Sequence, residues 1–476
     1  MQQLVAALRA KCSARCAILA PLLAALLSAC VAAPGQAPLQ PADTLNAFSA
    51  RRLEQLTPAL PPPAQGWDPA QWLTAALQLN PQLAEERAQV TAAAAAERTA
   101  AEFANPSLDL FAEYLTSAAQ SGAWLYGLSL DFLLHQPGER TRAKQHAALE
   151  TALAQSDLAE SIWQVRAALR EALLTVVAAR AESGLLQALR DERQRLCHSD
   201  EARLQLGDIA RAQLLTDQLE LARVQQRLQA AQARAADATA QLAAAVGVPL
   251  SAVQGVPVRW DNWAAIDGLT GSTSPAWRSE ALIARPQIVH ALRAYDLAET
   301  SLQSEVAKHW PQVHVTPAYA WGGNGVREDA LNDIDRESAL GVSLELPIFN
   351  QHQGAIGEAV ARRSAAGEHL KAVQAQIFAQ IDRAELAWPA ARQAWADVVQ
   401  LADSAERQGQ SAQHALEAGA SERAGVLAAQ IAATEAQLAV LQAAEGAQSA
   451  FGALEDAYRR PLEGAEPPAQ AAGSRS

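Results

Sequence analysis

Gly127-Leu128-Ser129-Leu130-Asp131 returns 214 residues further on as Gly341-Val342-Ser343-Leu344-Glu345. Both stretches sit inside longer alternating runs. Over residues 124–132, Trp124, Tyr126, Leu128, Leu130 and Phe132 share one face, opposite Leu125, Gly127, Ser129 and Asp131. Over residues 340–348, Leu340, Val342, Leu344, Leu346 and Ile348 oppose Gly341, Ser343, Glu345 and Pro347. Residues 313–321 set Val313, Val315, Pro317, Tyr319 and Trp321 against His314, Thr316, Ala318 and Ala320. Residues 107–116 set Leu108, Leu110 and Tyr114 against Asp109 and Glu113, imperfectly, because Phe111 and Leu115 share the polar side. A period of two is that of a strand between unlike environments, and nine or ten residues match a tilted membrane strand. Aromatics near the ends of three apolar faces suit an interfacial girdle, and small or acidic opposite faces suit a wet lumen. A half-buried soluble sheet gives the same alternation, so the pattern alone leaves both readings open. In lipid, four strands cannot end in open edges. The membrane reading therefore predicts assembly: two chains give 8 strands and three give 12.

Outward from these runs the whole chain repeats. Asn80-Pro81-Gln82-Leu83 recurs as Arg285-Pro286-Gln287-Ile288, and Asn105-Pro106-Ser107-Leu108 as Trp310-Pro311-Gln312-Val313, each offset by 205; Leu206-Gly207-Asp208 matches Ala418-Gly419-Ala420, offset by 212. The jump from 205 to 214 places a nine-residue insertion in the Gly-, Asn- and Asp-rich residues 322–336, which read as an exposed loop. Each copy predicts a helix opened by proline, two strands, a very long helix, a glycine turn and a return helix. In copy one, 139–203 makes 65 residues, about 97 Å, against helices 81–103 and 208–246. In copy two, 352–415 faces helices 286–308 and 421–458. One long helix thus matches two shorter ones laid end to end in each repeat, and Pro389 is expected to kink the second long helix.

The 476 residues are 50% hydrophobic and 19% charged with a formal charge of −13. Half apolar content excludes wholesale disorder, and the acidic balance, without a basic stripe, argues against nucleic-acid binding. Arg9, Lys11 and Arg15 precede an apolar run at 17–27, which reads as an export leader, too short for a mature membrane helix. It ends in Leu27-Ser28-Ala29-Cys30, similar to a bacterial lipobox, which implies a signal peptide over 1–29 and lipidation of Cys30. Cleavage there leaves Cys197 alone, without a disulfide partner. Beyond Cys30 no run of 18 apolar residues is seen, so a membrane crossing is expected to use strands.

Residues 66–462 resemble the TolC-like outer-membrane efflux protein family. The local matches are the Gly-turn segments, Gly207-Asp208-Ile209-Ala210-Arg211-Ala212-Gln213-Leu214-Leu215 and Gly419 through Val426-Leu427-Ala428-Ala429-Gln430. Gln136-Pro137-Gly138-Glu139-Arg140 and Leu346-Pro347-Ile348-Phe349-Asn350-Gln351-His352-Gln353-Gly354 resemble its heavy-metal branch. The resemblance implies a mainly α fold of two repeats, with a trimeric 12-stranded β-barrel in the outer membrane continuing into an α-helical periplasmic barrel. It implies the partners too: a homotrimer, a periplasmic membrane-fusion adaptor and an inner-membrane RND-type pump, with no cofactor and no catalysis. The organisation expected is a linker over 30–65, repeat 1 over 66–250 (strands 107–116 and 123–134, hairpin 139–246) and an equatorial linker over 251–275. Repeat 2 then covers 276–462 (strands 312–321 and 338–348, hairpin 352–459), and 463–476 form a tail.

Asp109, Glu113, Asp131 and Glu345 are expected in the barrel lumen, favouring cations. Where the family carries an acidic ring after the second turn glycine, this chain has Gly425 and Ala428. The charges left at the tip are Asp208, Arg211, Glu417, Glu422 and Arg423. They are candidates for inter-protomer pairs that close the tip and meet the adaptor, or else solvated helix ends, since exposed pairs contribute little. Cys197-His198 with Asp200 suggests a soft metal site, but adjacent ligands do not readily face one ion and no second cluster supports them. Trp67, Trp72, Trp260, Trp263 and Trp277 read as packing anchors. A drug efflux duct or type I protein-secretion duct of the same architecture, and a lipid-anchored periplasmic coiled-coil scaffold without a pore, are the alternatives.

Overall fold

The computed structural model describes residues 38–56, 64, 66–117, 120–134, 136–271, 274–322 and 336–462. The expected leader, Cys30, most of the insertion and the tail at 463–476 lie outside the described residues. The chain divides after Arg51. The first unit holds helix α1 (Pro41–Ser49), opened by its proline and exposed throughout.

The second unit contains two copies of one arrangement. The first runs α2 (Pro69–Leu79), α3 (Pro81–Thr99), β1 (Ser107–Ser117), β2 (Gln120–Leu134), α4 (Glu139–Leu206) and α5 (Arg211–Val246). A short α6 (Leu250–Val253) leads to α7 (Pro275–Ala284), α8 (Pro286–Ala307), β3 (Gln312–Gly322), β4 (Arg336–Glu345), α9 (Gln353–Glu417) and α10 (Arg423–Tyr458). The helices that open each repeat are started alike. The Asp68 carboxylate accepts from the Gln71 amide at 2.8 Å and Pro69 follows; Ser274 Oγ accepts from the Trp277 amide at 3.2 Å and Pro275 follows. A side-chain cap plus a residue that lacks an N–H leaves few orphan donors in the first turn.

The end-to-end arrangement rests on one device used twice. Asn80 Oδ1 accepts from the Gln82 and Leu83 amides at 2.9 and 3.3 Å, capping α3, while its Nδ2 donates to the Ala245 carbonyl at 2.8 Å. In the second copy Arg285 precedes α8 and donates from Nη1 to the Ala457 carbonyl at 3.3 Å. The start of each short helix is thereby fastened to the end of its return helix. Gly247 ends α5 at φ +84, and a Cβ there would lie 2.5 Å from Pro81 Cδ. Positive φ and this close approach both require glycine.

Helix α4, 68 residues and about 102 Å long, is the hub. It packs on α3 and α5 of its own repeat and on α8 and α10 of the other, while α9 packs on α8 and α10. Neighbours therefore run α3–α4–α8–α9 on one side of the junctions and α5–α4–α10–α9 on the other. The sheet repeats this order, β1-β2-β3-β4, antiparallel throughout, because each strand adjoins one of those helices. The edge helix α9 buries six residues of 65, among them Ile377, Ile381 and Trp388, whereas α4 buries sixteen of 68.

Two cores fill the equator. In one, Trp67 and Trp72 meet edge-on at 5.0 Å among Leu169, Leu173 and Leu242; in the other, Trp263, Ile266 and Leu269 join Trp388, Phe451 and Leu454. The linker after α6 binds across the first core, with the Trp67 amide donating to the Pro257 carbonyl at 3.0 Å and Arg259 donating back at 2.9 Å. Trp260 and Trp277 pack against these cores partly buried.

Several sequence expectations change. Helix α3 stops at Thr99 rather than 103, and the exposed Phe103 ring lies under the Arg140 guanidinium at 4.0 Å. Strand β4 covers 336–345 rather than 338–348, since Pro347 has no N–H for a ladder. Pro389 lies inside α9, which is one helix on both sides of it, as the sequence placed it. Helices α4 and α10 each contain an 18-residue window whose mean hydropathy and length would allow a membrane crossing, although neither is an unbroken apolar run. The equatorial cores draw Val165, Leu169, Leu173, Ala447, Phe451 and Leu454 from these same helices.

Candidate functional site

The strand register sorts side chains into two faces, because directly paired residues project to the same side. Leu108 pairs with Leu130 and Leu110 with Leu128; Leu128 pairs with Tyr319 and Phe132 with Val315; Val315 pairs with Val342 and Val313 with Leu344. These residues form one apolar face across all four strands. At its outer end Tyr126 stacks on Trp321 at 6.2 Å, and Tyr319 lies 5.8 Å from the same ring. At the opposite end, where strands meet helices, Phe103, Trp310 and Phe349 are exposed. Nothing covers this face in the protomer: Leu108, Leu110, Leu340, Val342 and Leu344 are all more than half exposed.

The other face carries Asp109, Asp131 and Glu345, so three of the four expected lumenal acids lie together. Glu113 is in β1 opposite Leu125, and its side chain lies outside the described residues. Phe111 also lies on this face, its ring over Gly127, where a Cβ would come within 2.3 Å of it. That contact explains the imperfect alternation of β1: the phenyl ring fills the space a glycine leaves on the neighbouring strand. Asp131 is not a bare carboxylate. Its Oδ2 lies 2.8 Å from His314 Nδ1 and its Oδ1 accepts from Thr316 Oγ1 at 3.0 Å. The sequence reading placed His314 on the polar face and gave it no role. The signal was its diagonal position relative to Asp131, legible only once β2 is known to pair with β3.

At the helical tip the five candidates separate. Glu422 pairs within the protomer with Arg203, Nη2 to Oε2 3.6 Å, joining the second hairpin to α4. Glu417 stays on its own helix, accepting from Gln413 at 3.1 Å with His414 at 3.6 Å. Asp208, Arg211 and Arg423 are exposed and make no ion pair within the protomer among the described residues. Arg203 was not foreseen, nor was the pairing with Asp217 of Asp200, which the sequence reading considered only beside Cys197-His198. These two buried carboxyls, on α4 and α5, are hydrogen-bonded to each other, with Arg203 Nη1 3.4 Å from Asp200 and Gln213 donating to Asp217 at 3.0 Å. Burial first, then the Asp217 carboxyl, push Asp200 above the usual carboxylate range. Cys197 is buried and likewise held above the ordinary thiol value, by burial and then by Asp217. His198 is exposed and lies 3.7 Å from Glu201, whereas Cys197 and Asp200 are buried. No group of three metal-ligating side chains occurs among the described residues.

The protomer thus presents a sheet with one bare apolar face, one acidic face and two open edges, carried on helices of about 100 Å. Residues 277–458, the second repeat, match the outer membrane efflux protein family. No curated protein matches the chain by sequence. Among solved structures, the outer-membrane channel OprN is similar at 16% identity with a TM-score of 0.67, covering 83% of this chain and 90% of that one. The outer membrane protein VceC of Vibrio cholerae matches at 18% identity and TM-score 0.66, covering 83% and 97%. CusC matches at 16% identity and TM-score 0.65, covering 90% and 99%. At such identities the likeness establishes the fold. The chain thus resembles the TolC-like outer-membrane efflux proteins in the sequence of its second repeat and in the fold of nearly its whole length.

Proposed function

We propose that three copies of this chain close a 12-stranded barrel in the outer membrane, continued by a helical tube across the periplasm, as a passive export duct. The observation that carries this reading is the bare two-faced sheet. Its edges, β1 and β4, have unpaired backbone groups, which lipid does not tolerate, and α5, α3 and α9 end the helical series in the same way. An edge unlike its opposite edge closes a ring by heterologous contacts. Energy and substrate choice then belong to an RND-type pump, reached through a membrane-fusion adaptor at the tip. Heavy-metal cations are the proposed cargo, on the resemblance of residues 136–140 and 346–354 to that branch.

Within this reading Cys30 carries the lipid, and Asp109, Glu113, Asp131 and Glu345 give the lumen its cation preference. Arg203–Glu422, with Asp208, Arg211, Glu417 and Arg423, holds the tip closed. The purified protein should run as a heat-dissociable trimer and conduct in planar bilayers; an electrically silent monomer would overturn the proposal. Glu422→Ala should raise conductance, and an unchanged closed state would remove Glu422 from the gate. Labelled palmitate should enter the wild type and not Cys30→Ser. Deletion should sensitise cells to zinc, cobalt, cadmium or copper; sensitivity to organic drugs alone would reassign the cargo.

A further inference from the structure

We propose that His314, through its bond to Asp131, is the residue that makes the ion selectivity of this duct depend on pH. The inference rests on the channel reading and adds a determinant within the lumen. Strand β3 puts Gln312, His314, Thr316, Ala318 and Ala320 on the polar face. The charged groups on the same face are Asp109 and, by register, Glu113 from β1, Asp131 from β2, and Glu337 and Glu345 from β4. Paired residues fix these faces: His314 opposes Ser343, Gln312 opposes Glu345, and Ala320 opposes Glu337. Arg336 pairs with Trp321 and so belongs to the lipid-facing side.

On this face every formal charge among the described side chains is therefore a carboxylate, apart from one imidazole. Carboxylates ordinarily keep their charge above about pH 5, and histidine is the side-chain type whose charge ordinarily changes between about pH 5 and 8. Protonated, His314 forms an ion pair with Asp131 at 2.8 Å and cancels one of the negative charges this face carries in each protomer. Neutral, it donates from Nδ1 to the Asp131 carboxylate and leaves that charge standing. Thr316 donates to the other carboxylate oxygen at 3.0 Å, so Asp131 is held in place in both states. Three copies place three such pairs at one level of the barrel. Acid then removes three negative charges from a wide pore whose walls lie within about one or two Debye lengths of its axis.

The test is the reversal potential of the purified trimer in a potassium chloride gradient at about 0.1 M, read at about pH 5.5 and pH 8. The wild type should be more cation-selective at the higher pH, by roughly two- to threefold in permeability ratio, with the difference shrinking in about 1 M salt. His314→Gln should hold the alkaline selectivity at both pH values, and His314→Arg the acid one. Wild-type pH dependence that persists in both variants, or a wild type without any, overturns the role of His314 while the duct stands. A trimer that never conducts overturns the duct itself.

Discussion

Asn80 and Arg285 occupy equivalent places and reach the same kind of acceptor, yet they are unlike residues. Asn80 both caps a helix and ties it to the end of another. Asn80→Ala loses the cap, which alone costs roughly 1–2 kcal/mol, and leaves the Ala245 carbonyl without this donor; chemical denaturation of the purified protein should show a loss at the upper end of that range. Arg285 lies in a buried site, and burial, then the neighbouring Arg459 charge, lower its pKa to about 10. It therefore stays charged at neutral pH. Gly247→Ala forces a side chain into positive φ and against Pro81. A cost of roughly 2 kcal/mol or more is expected from the backbone and the contact together, readable as a lower melting temperature. The sequence showed that the residue before the helix-opening proline is a landmark, because the offset of 205 repeats there. That an asparagine and an arginine do the same work was not legible, since their common partner is a backbone carbonyl more than 160 positions away.

Among the elements, the hairpin of α4 and α5 carries a pH signature at its tip. The Asp200 carboxyl is held above its ordinary range, so its protonated form favours the folded tip. That contribution is full below the ordinary aspartate value and is lost as the pH rises through the raised one. Asp200→Asn should remove the loss. Amide exchange at residues 196–218 should be slower in the variant than in the wild type at pH 7, and the two should converge in acid. Equal protection at pH 7 would contradict the assignment. The opposite sign holds for Glu299, which the Arg363 guanidinium keeps below the usual carboxylate range, so that link between α8 and α9 weakens as the pH falls. The long helices, their glycine turns and the four strands were all legible, because periodicity and punctuation are local. The carboxyl pair was not: Asp200 was weighed only with its sequence neighbours Cys197 and His198, and Asp217 looks like an ordinary surface acid until the hairpin folds one against the other. Likewise the contact of Arg203 with Glu422 within one protomer was not legible, because the two lie on different hairpins.

For the whole molecule, the repeat predicts two interchangeable halves, and the structure departs from that. Helix α4 has neighbours on both flanks while its counterpart α9 has them on one. The open flank of α9 and the opposite flank of α5 are where copies are proposed to meet. Charge reversal there, such as Arg362→Glu on exposed α9, should weaken trimers more than it weakens the fold of a protomer, as read by cross-linking against circular dichroism. The seam between β2 and β3 joins Leu134 to Val313, positions separated by all of α4, α5 and the equatorial passage. Bringing such distant segments together is slow, since the chain entropy is lost before the ladder forms. The greasy surface therefore cannot be completed while the polypeptide is still emerging into water. For the membrane duct proposed above, delay of that kind is protective: the apolar face comes into being only after the helical frame exists to align it.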